Sequence, residues 1–72
     1  MEKITIKTEY IKLQDLLKLA SLVSTGGEAK LAIAEGEAAV NGETCTQRGK
    51  KLRPGDVICF RGQEITVVYA DQ

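Results

Sequence analysis

The segment from Thr44 to Arg53, called the basic segment below, holds the densest group of cationic side chains in the chain. It contains four basic residues and no acidic residue, whereas the two signs are mixed through most of the remaining sequence. Four neighbouring cations could bind a polyanion, because contacts with phosphates release condensed counterions. The alternative is a solvated turn that protects the edge of a sheet, a role that lysines often have. The cations are Arg48, Lys50, Lys51 and Arg53.

Gly26 and Gly27 stand at the predicted start of a helix, where backbone amides have no partner within the helix. Without side chains at these positions, a phosphate could approach those amides closely. Thr25 and Lys30 could face the same ligand. Glu28 weakens this interpretation, because its carboxylate already occupies the positive end of the helix dipole. The two glycines could instead form only a flexible turn between two helices.

The chain has no histidine and two cysteines, Cys45 and Cys59. Two cysteines cannot complete a structural zinc site, which requires four ligands, and their spacing matches no redox motif. We therefore expect two reduced thiols. General acid–base catalysis usually draws on His or a tuned carboxylate in a pocket, and a chain of 72 residues is too small for an enclosed site. The sequence predicts a binding protein and no enzyme, with no metal, no cofactor and no small-molecule substrate.

Length and composition predict one globular domain over residues 1–72. Hydrophobic residues make up 43% of the chain and charged residues 28%, which argues against disorder. Ten basic and ten acidic residues balance, so the net charge neither favours nor excludes nucleic acid. Lys3, Thr5 and Lys7 interrupt any apolar run of a signal peptide, and no apolar segment is long enough to span a bilayer. We expect a reduced, cytoplasmic protein without membrane contact.

Helical spacing of apolar residues predicts a first helix over residues 12–22. Leu19 and Leu22 would widen its buried stripe. The residues of the central apolar face are Leu13, Leu16, Leu17 and Ala20.

A second helix is predicted over residues 26–35. Thr25 and Glu28 have the spacing of a capping box, and Gly36 stands where a left-handed residue would end the helix. Two or three residues would join the two helices, which predicts a helical hairpin. The face of small and apolar residues is formed by Ala29, Ala32 and Ile33.

Strand and turn patterns cover the rest of the chain. Alternation of polar and apolar residues predicts an edge strand over residues 3–8 and a last strand over residues 63–69. Asn41-Gly42, Arg53–Asp56 and Arg61-Gly62 are tight-turn signals. This order of elements predicts a compact α+β domain. One face of the last strand is formed by Ile65, Val67 and Tyr69.

Four short pieces of sequence occur together, in order, between residues 13 and 58. They are Leu13-Gln-Asp-Leu-Leu17; Thr25-Gly-Gly-Glu-Ala-Lys30, followed by Ile33 and Gly36; Val40-Asn-Gly42; and Arg48-Gly-Lys-Lys-Leu52, followed by Pro54-Gly-Asp-Val57. At this spacing they resemble the S4-type RNA-binding domain, and in particular the stand-alone bacterial S4-like proteins of the YaaA/YbcJ type.

The resemblance implies an αL fold, in which a two-helix hairpin packs on a small, bent antiparallel sheet. It also implies a partner, structured RNA of the ribosomal or transfer RNA class, and a role associated with translation or the ribosome. Many family members have Ser-Arg where this chain has Thr25-Gly26, so we expect modest binding. The RNA-binding residues that the resemblance supports are Thr25, Gly26, Gly27, Lys30, Arg48, Lys50, Lys51 and Arg53.

An alternative hypothesis is a protein-interaction module that keeps this fold with little RNA affinity and acts as an accessory factor. The neutral net charge and Gly26 in place of an arginine favour it.

A chain with only three aromatic residues would recognise RNA mainly through shape and phosphates, with little base stacking. A ribosome or a protein remains a further candidate partner besides RNA.

Overall fold

The structure, a computed structural model, describes residues 2–70. Two helices and seven strands follow one another in this part of the chain. They are β1 (Glu2–Ile6), β2 (Ile11–Lys12), α1 (Leu13–Leu19), α2 (Gly26–Ala34), β3 (Ala38–Val40), β4 (Glu43–Thr44), β5 (Lys51–Leu52), β6 (Val57–Phe60) and β7 (Gln63–Tyr69).

The strands form one sheet of order β1-β7-β6-β3-β4 and a separate two-stranded pair, β2 with β5. We call this pair the β2–β5 ribbon. The predicted α+β class, with a helical hairpin beside a small sheet, is confirmed, and the N-terminal strand lies at the sheet edge as expected. The sheet is mixed, however, where an antiparallel one was predicted, because β1 pairs with β7 in parallel. Two parallel strands must be joined by a crossover connection. Here the connection from β1 to β7 contains both helices and all the other strands.

Helix α1 is shorter than the predicted helix over residues 12–22. Its backbone leaves helical geometry at Ala20, and Ser21 adopts a left-handed φ of 60°. Leu22 therefore contacts the core from the connection that follows the helix. Leu19 was expected to be buried, but 57% of its surface is exposed. The predicted central face holds, since Leu13, Leu16 and Leu17 are fully buried.

Helix α2 begins and ends at the residues that the capping signals indicated. The Thr25 Oγ1 accepts a hydrogen bond of 3.1 Å from the Glu28 amide. The Glu28 carboxylate accepts from the amide of Ser24 at 2.8 Å rather than from Thr25, so the reciprocal half of the capping box is displaced by one residue. Gly36 has a φ of 82°, and the next amide, of Glu37, donates back to the Ala32 carbonyl. The connection between the helices spans residues 20–25, longer than predicted.

One apolar cluster joins both helices to the sheet and the ribbon. Most of it is aliphatic, and Phe60 is its largest fully buried side chain. Ile65 and Val67 are buried as predicted, whereas Tyr69, at the end of the same strand face, is 56% exposed. The fully buried residues with large side chains are Phe60, Leu13, Leu16, Leu17, Ile33, Leu52, Ile58, Ile65 and Val67.

Arg61, in the turn between β6 and β7, links the sheet to α2. Its Nε donates to the Glu37 Oε1 at 2.5 Å, and its Nη1 lies 3.9 Å from a carboxylate oxygen of Glu28. The guanidinium also lies 4.8 Å from the centre of the Phe60 ring. The hydrogen bond from Arg61 lowers the pKa of Glu37 and raises the pKa of Arg61 itself. Arg61 therefore has a structural role, and its positive charge is balanced by the carboxylates of Glu28 and Glu37.

Candidate nucleic-acid interface

The basic segment was predicted as a loop, and part of it is strand. Lys51 and Leu52 form β5 and pair with Lys12 and Ile11 of β2 in antiparallel register. Leu52 points into the core and is fully buried, while the basic side chains on either side of it are exposed. Alternation around Leu52 thus directs the side chains of Lys51 and Arg53 away from the core.

The backbone of the basic segment caps helix α1. The N-cap residue Lys12 provides no side-chain hydrogen bond to the first turn. Instead, the Leu13 amide donates to the Lys50 carbonyl at 2.9 Å and the Gln14 amide donates to the Arg48 carbonyl at 3.1 Å. These bonds satisfy helix amides that would otherwise lack partners. They use backbone atoms only, so the basic side chains remain available to a ligand.

Asn41 and Asp56 hold the other end of the basic segment. The Asn41 Oδ1 accepts from the Val57 amide at 2.9 Å, and its Nδ2 donates to the Asp56 carboxylate at 3.1 Å. The same carboxylate accepts from the Arg53 amide at 2.8 Å. Asn41 takes a left-handed φ of 51°, as the predicted Asn-Gly turn requires. This turn therefore fixes the backbone from which Arg53 projects.

Replacing Asn41 with Gly tests this connection, because glycine keeps the left-handed backbone and removes both side-chain hydrogen bonds. We expect Asn41→Gly to lower the free energy of unfolding by about 0.5–1.5 kcal/mol, the net contribution of a typical hydrogen bond, because both bonds lie at exposed positions. Urea unfolding would measure it. Gly42→Ala is the comparison. It strains the backbone of the same turn and leaves the side-chain hydrogen bonds of Asn41 in place. An unchanged stability of Asn41→Gly would show that the hydrogen bonds to Val57 and Asp56 do not hold the segment.

A groove of about 560 Å³ runs between the basic segment and the Asn41-Gly42 turn. Its wall is mostly polar, with uncharged hydrogen-bonding groups next to cations, which suits a sugar–phosphate backbone better than an apolar ligand. Glu43 and Asp56 contribute acidic groups to the same wall. The hydrogen-bonding and basic side chains of the wall include Asn41, Thr44, Gln47, Lys50, Lys51 and Arg53.

The four cations of the basic segment are exposed, and none forms an ion pair within residues 2–70. The ion pairs found there involve Lys18 with Asp15, and Arg61 with Glu28 and Glu37. A neutral chain thus concentrates four cations without ion-pair partners on one segment, with Glu43 and Asp56 as the acidic groups of the same groove. This is the electrostatic feature expected of a polyanion-binding surface.

The start of α2 is the other predicted part of the site. Thr25, Gly26, Gly27 and Lys30 are all exposed. A Cβ at Gly26 would meet no atom within 4 Å, so packing does not require glycine there. Glu28 lies in the first turn of the helix and near Arg61, so the carboxylate opposes an anion at these amides, as the sequence suggested.

The two parts of the predicted site attach to opposite ends of β6. The basic segment is tied through Asn41 to Val57, the first residue of β6, whereas α2 contacts Arg61, which follows its last residue. Four residues of a strand span roughly 13 Å. No hydrogen bond or ion pair in the described part of the chain joins them directly. RNA contact by these residues stays a prediction.

Two residues beside the basic segment, Tyr10 and Lys12, were not predicted from the sequence. The Lys51 Nζ lies 4.9 Å from the centre of the Tyr10 ring, and Lys12 stands directly opposite Lys51 across the ribbon. Residue 12 was assigned to a helix, and a strand of two residues is too short for periodicity to reveal.

Cys45 and Cys59 are free and half-buried, and no group of three potential metal ligands occurs within residues 2–70. None of the helices described is long and apolar enough to cross a membrane.

Comparison with known proteins identifies the fold. The family model described as "S4 domain" matches residues 4–68. The chain belongs to the S4 domain family. The predicted resemblance to stand-alone S4-like proteins is thereby confirmed, and two curated bacterial relatives support it. One is the "Probable ribosome maturation protein RlbA" of Bacillus subtilis (strain 168), 46% identical over 59 residues, which cover 82% of this S4 domain and 83% of the relative. The other is the "Putative RNA-binding protein YbcJ" of Escherichia coli (strain K12), 39% identical over 62 residues, covering 86% and 89%.

Two solved structures have the same fold as this S4 domain. The solution structure of YbcJ from E. coli superposes with a TM-score of 0.73 at 36% identity, covering 94% of this chain and 87% of that one, and is described as having an αL motif involved in RNA binding. The 30S ribosomal protein S4e from Thermoplasma acidophilum superposes with a TM-score of 0.69 at 30% identity, covering 92% of this chain and 35% of that one.

Proposed function

We propose that this S4 domain binds structured RNA through the basic segment, with the start of α2 as a second contact. The observation that carries the proposal is the set of four cations without carboxylate partners on a backbone held at both ends. Because the backbone of the segment is already held, it loses little conformational entropy on binding, so more of the electrostatic gain contributes to affinity. The proposed contact residues are Thr25, Gly26, Gly27, Lys30, Arg48, Lys50, Lys51 and Arg53.

Ribosomal RNA is the class of partner that we favour. Relatives named as a ribosome maturation protein, a putative RNA-binding protein and a 30S ribosomal protein support this choice over transfer RNA and over a protein-interaction module. A role in ribosome maturation also supports action in the cytoplasm. We infer a binding protein without catalysis, because the site offers cations and hydrogen-bonding groups on an open groove and the relatives are described by RNA binding and ribosome maturation.

A salt titration of RNA binding tests this function. With four phosphate contacts, the logarithm of the association constant should fall with the logarithm of salt concentration with a slope of about −2.8 to −3.6. Affinity for a fragment of ribosomal RNA should then drop on the order of 100-fold between about 50 and 200 mM salt. Fluorescence anisotropy with labelled RNA would measure it. Absence of salt-sensitive binding would overturn the proposal and leave the protein-interaction module.

A further inference from the structure

The β2–β5 ribbon has an exposed face. Of its residues, the proposed RNA contacts include Lys51 but not Lys12 or the neighbouring Tyr10. Its register places Lys12 opposite Lys51 and Ile11 opposite Leu52. Because side chains alternate along a strand, Lys12 and Lys51 share the outer face, and Ile11 and Leu52 face the core. Tyr10 precedes Ile11 and lies on the same outer side as Lys12, which agrees with the position of its ring near Lys51.

Lys12 and Lys51 form a cross-strand pair of like charge. Like charges directly opposite one another destabilise a pair of strands. Neither lysine has a carboxylate in ion-pairing distance among residues 2–70, so the weak contact of Lys51 with the Tyr10 ring is what the described structure offers against the repulsion. Phosphate groups between the two ammonium groups would offset it. The pair therefore favours binding of an anion at this face.

Tyr10 adds an aromatic ring to this face. Tyr10 is half-buried. Its backbone carbonyl accepts a hydrogen bond of 2.7 Å from the Thr8 hydroxyl, which orders the backbone just before the ribbon. Phe60 is fully buried and unavailable to a base. Tyr69 is exposed but lies at the end of β7, whereas the Tyr10 ring lies next to Lys51, so Tyr10 is the aromatic residue beside the cations. The contact between its ring and Lys51 is of the weak, exposed kind, and stacking of a nucleobase on an aromatic ring is stronger.

We propose that the outer face of the β2–β5 ribbon binds an unpaired nucleotide of the RNA. Lys12 and Lys51 contact the phosphates on either side of it, and Tyr10 stacks on its base once the Lys51 ammonium has moved to a phosphate. This inference rests on the proposed function and narrows it. The preferred RNA is a structured RNA with an unpaired nucleotide next to a helix, instead of a duplex recognised through shape and phosphates alone.

The test compares two RNA hairpins that differ by one unpaired adenosine in the stem. Tyr10→Leu removes the ring and keeps an apolar side chain, and Tyr10→Phe keeps the ring as the matched control. We expect Tyr10→Leu to bind the bulged hairpin about 5- to 20-fold more weakly, from the lower range of base–aromatic stacking. Its affinity for the paired hairpin, and that of Tyr10→Phe for both, should stay within about twofold of the parent.

Lys12→Gln is a second variant, since this exposed side chain can be changed with little risk to the fold. It should reduce the magnitude of the salt slope by about 0.7–0.9, the contribution of one phosphate, whereas Lys3→Gln in β1 should leave the slope unchanged. Parent-like binding by both Tyr10→Leu and Lys12→Gln, or equal losses on the two hairpins, would overturn the inference and leave the proposed function standing. If the parent binds neither hairpin at low salt, both proposals fail.

Discussion

Changing Arg48, Lys50 and Arg53 together to Gln should weaken RNA binding on the order of 100-fold at about 0.1 M salt. The estimate follows from losing three phosphate contacts, each of which contributes about 0.7–0.9 to the salt exponent. The variant should keep the fold, because these side chains are exposed and the segment is held through backbone atoms. Anisotropy titrations at several salt concentrations would give both the affinity and the slope.

A triple change of Lys3, Lys7 and Lys18 to Gln is the matched control. It removes the same number of charges from exposed positions outside the basic segment. None of the three lysines is a proposed RNA contact, and Lys18 is already paired with Asp15 at 3.9 Å. The control should therefore bind RNA within a few fold of the parent. Equal losses in the two variants would mean that net charge, and not the basic segment, determines affinity.

Leu52→Ala should be the most destabilising single change near the site. Leu52 is fully buried, and it stands in β5 between two of the basic residues. Truncating a buried leucine costs about 2–5 kcal/mol, and a domain of this size has a total stability of about 4–10 kcal/mol. We expect a large decrease in the urea midpoint of unfolding. RNA binding should also decrease, since Leu52 anchors the strand that carries Lys51.

Leu31→Ala is the same substitution at an exposed position. Leu31 lies on α2 with 62% of its surface exposed, so we expect a change in stability of within about 0.5 kcal/mol. Similar unfolding midpoints for the two variants would contradict the placement of Leu52 in the core.

Local patterns predicted most of the fold. The leucine spacing of α1, the Thr25 cap and the Gly36 terminus of α2 each depend on neighbours a few residues away, so they can be identified in the sequence. Asn41-Gly42 was recognisable for the same reason. The early end of α1 was not, because Ser21 takes a left-handed φ without the glycine or proline that usually marks such a position.

Long-range pairing was harder to predict. Nothing within residues 10–12 indicates that they pair with residues 51–52, and two paired residues are too few to show a period. The parallel contact between β1 and β7 likewise joins the two ends of the described chain. Tyr10 and Lys12 were missed for this reason, since their importance comes from the strand that lies next to them. The basic segment was found because its charge is concentrated locally.

The two bonds from α1 to the carbonyls of Arg48 and Lys50 couple the stability of the segment to that of the helix start. If the segment detaches, the first turn of α1 loses its acceptors and frays with it. Local opening then has the free-energy cost of both events, and the detached state is correspondingly rare. A ligand that holds the segment raises this cost further. The residues of the segment that precede β5 are thus held in place by the helix on which they rest.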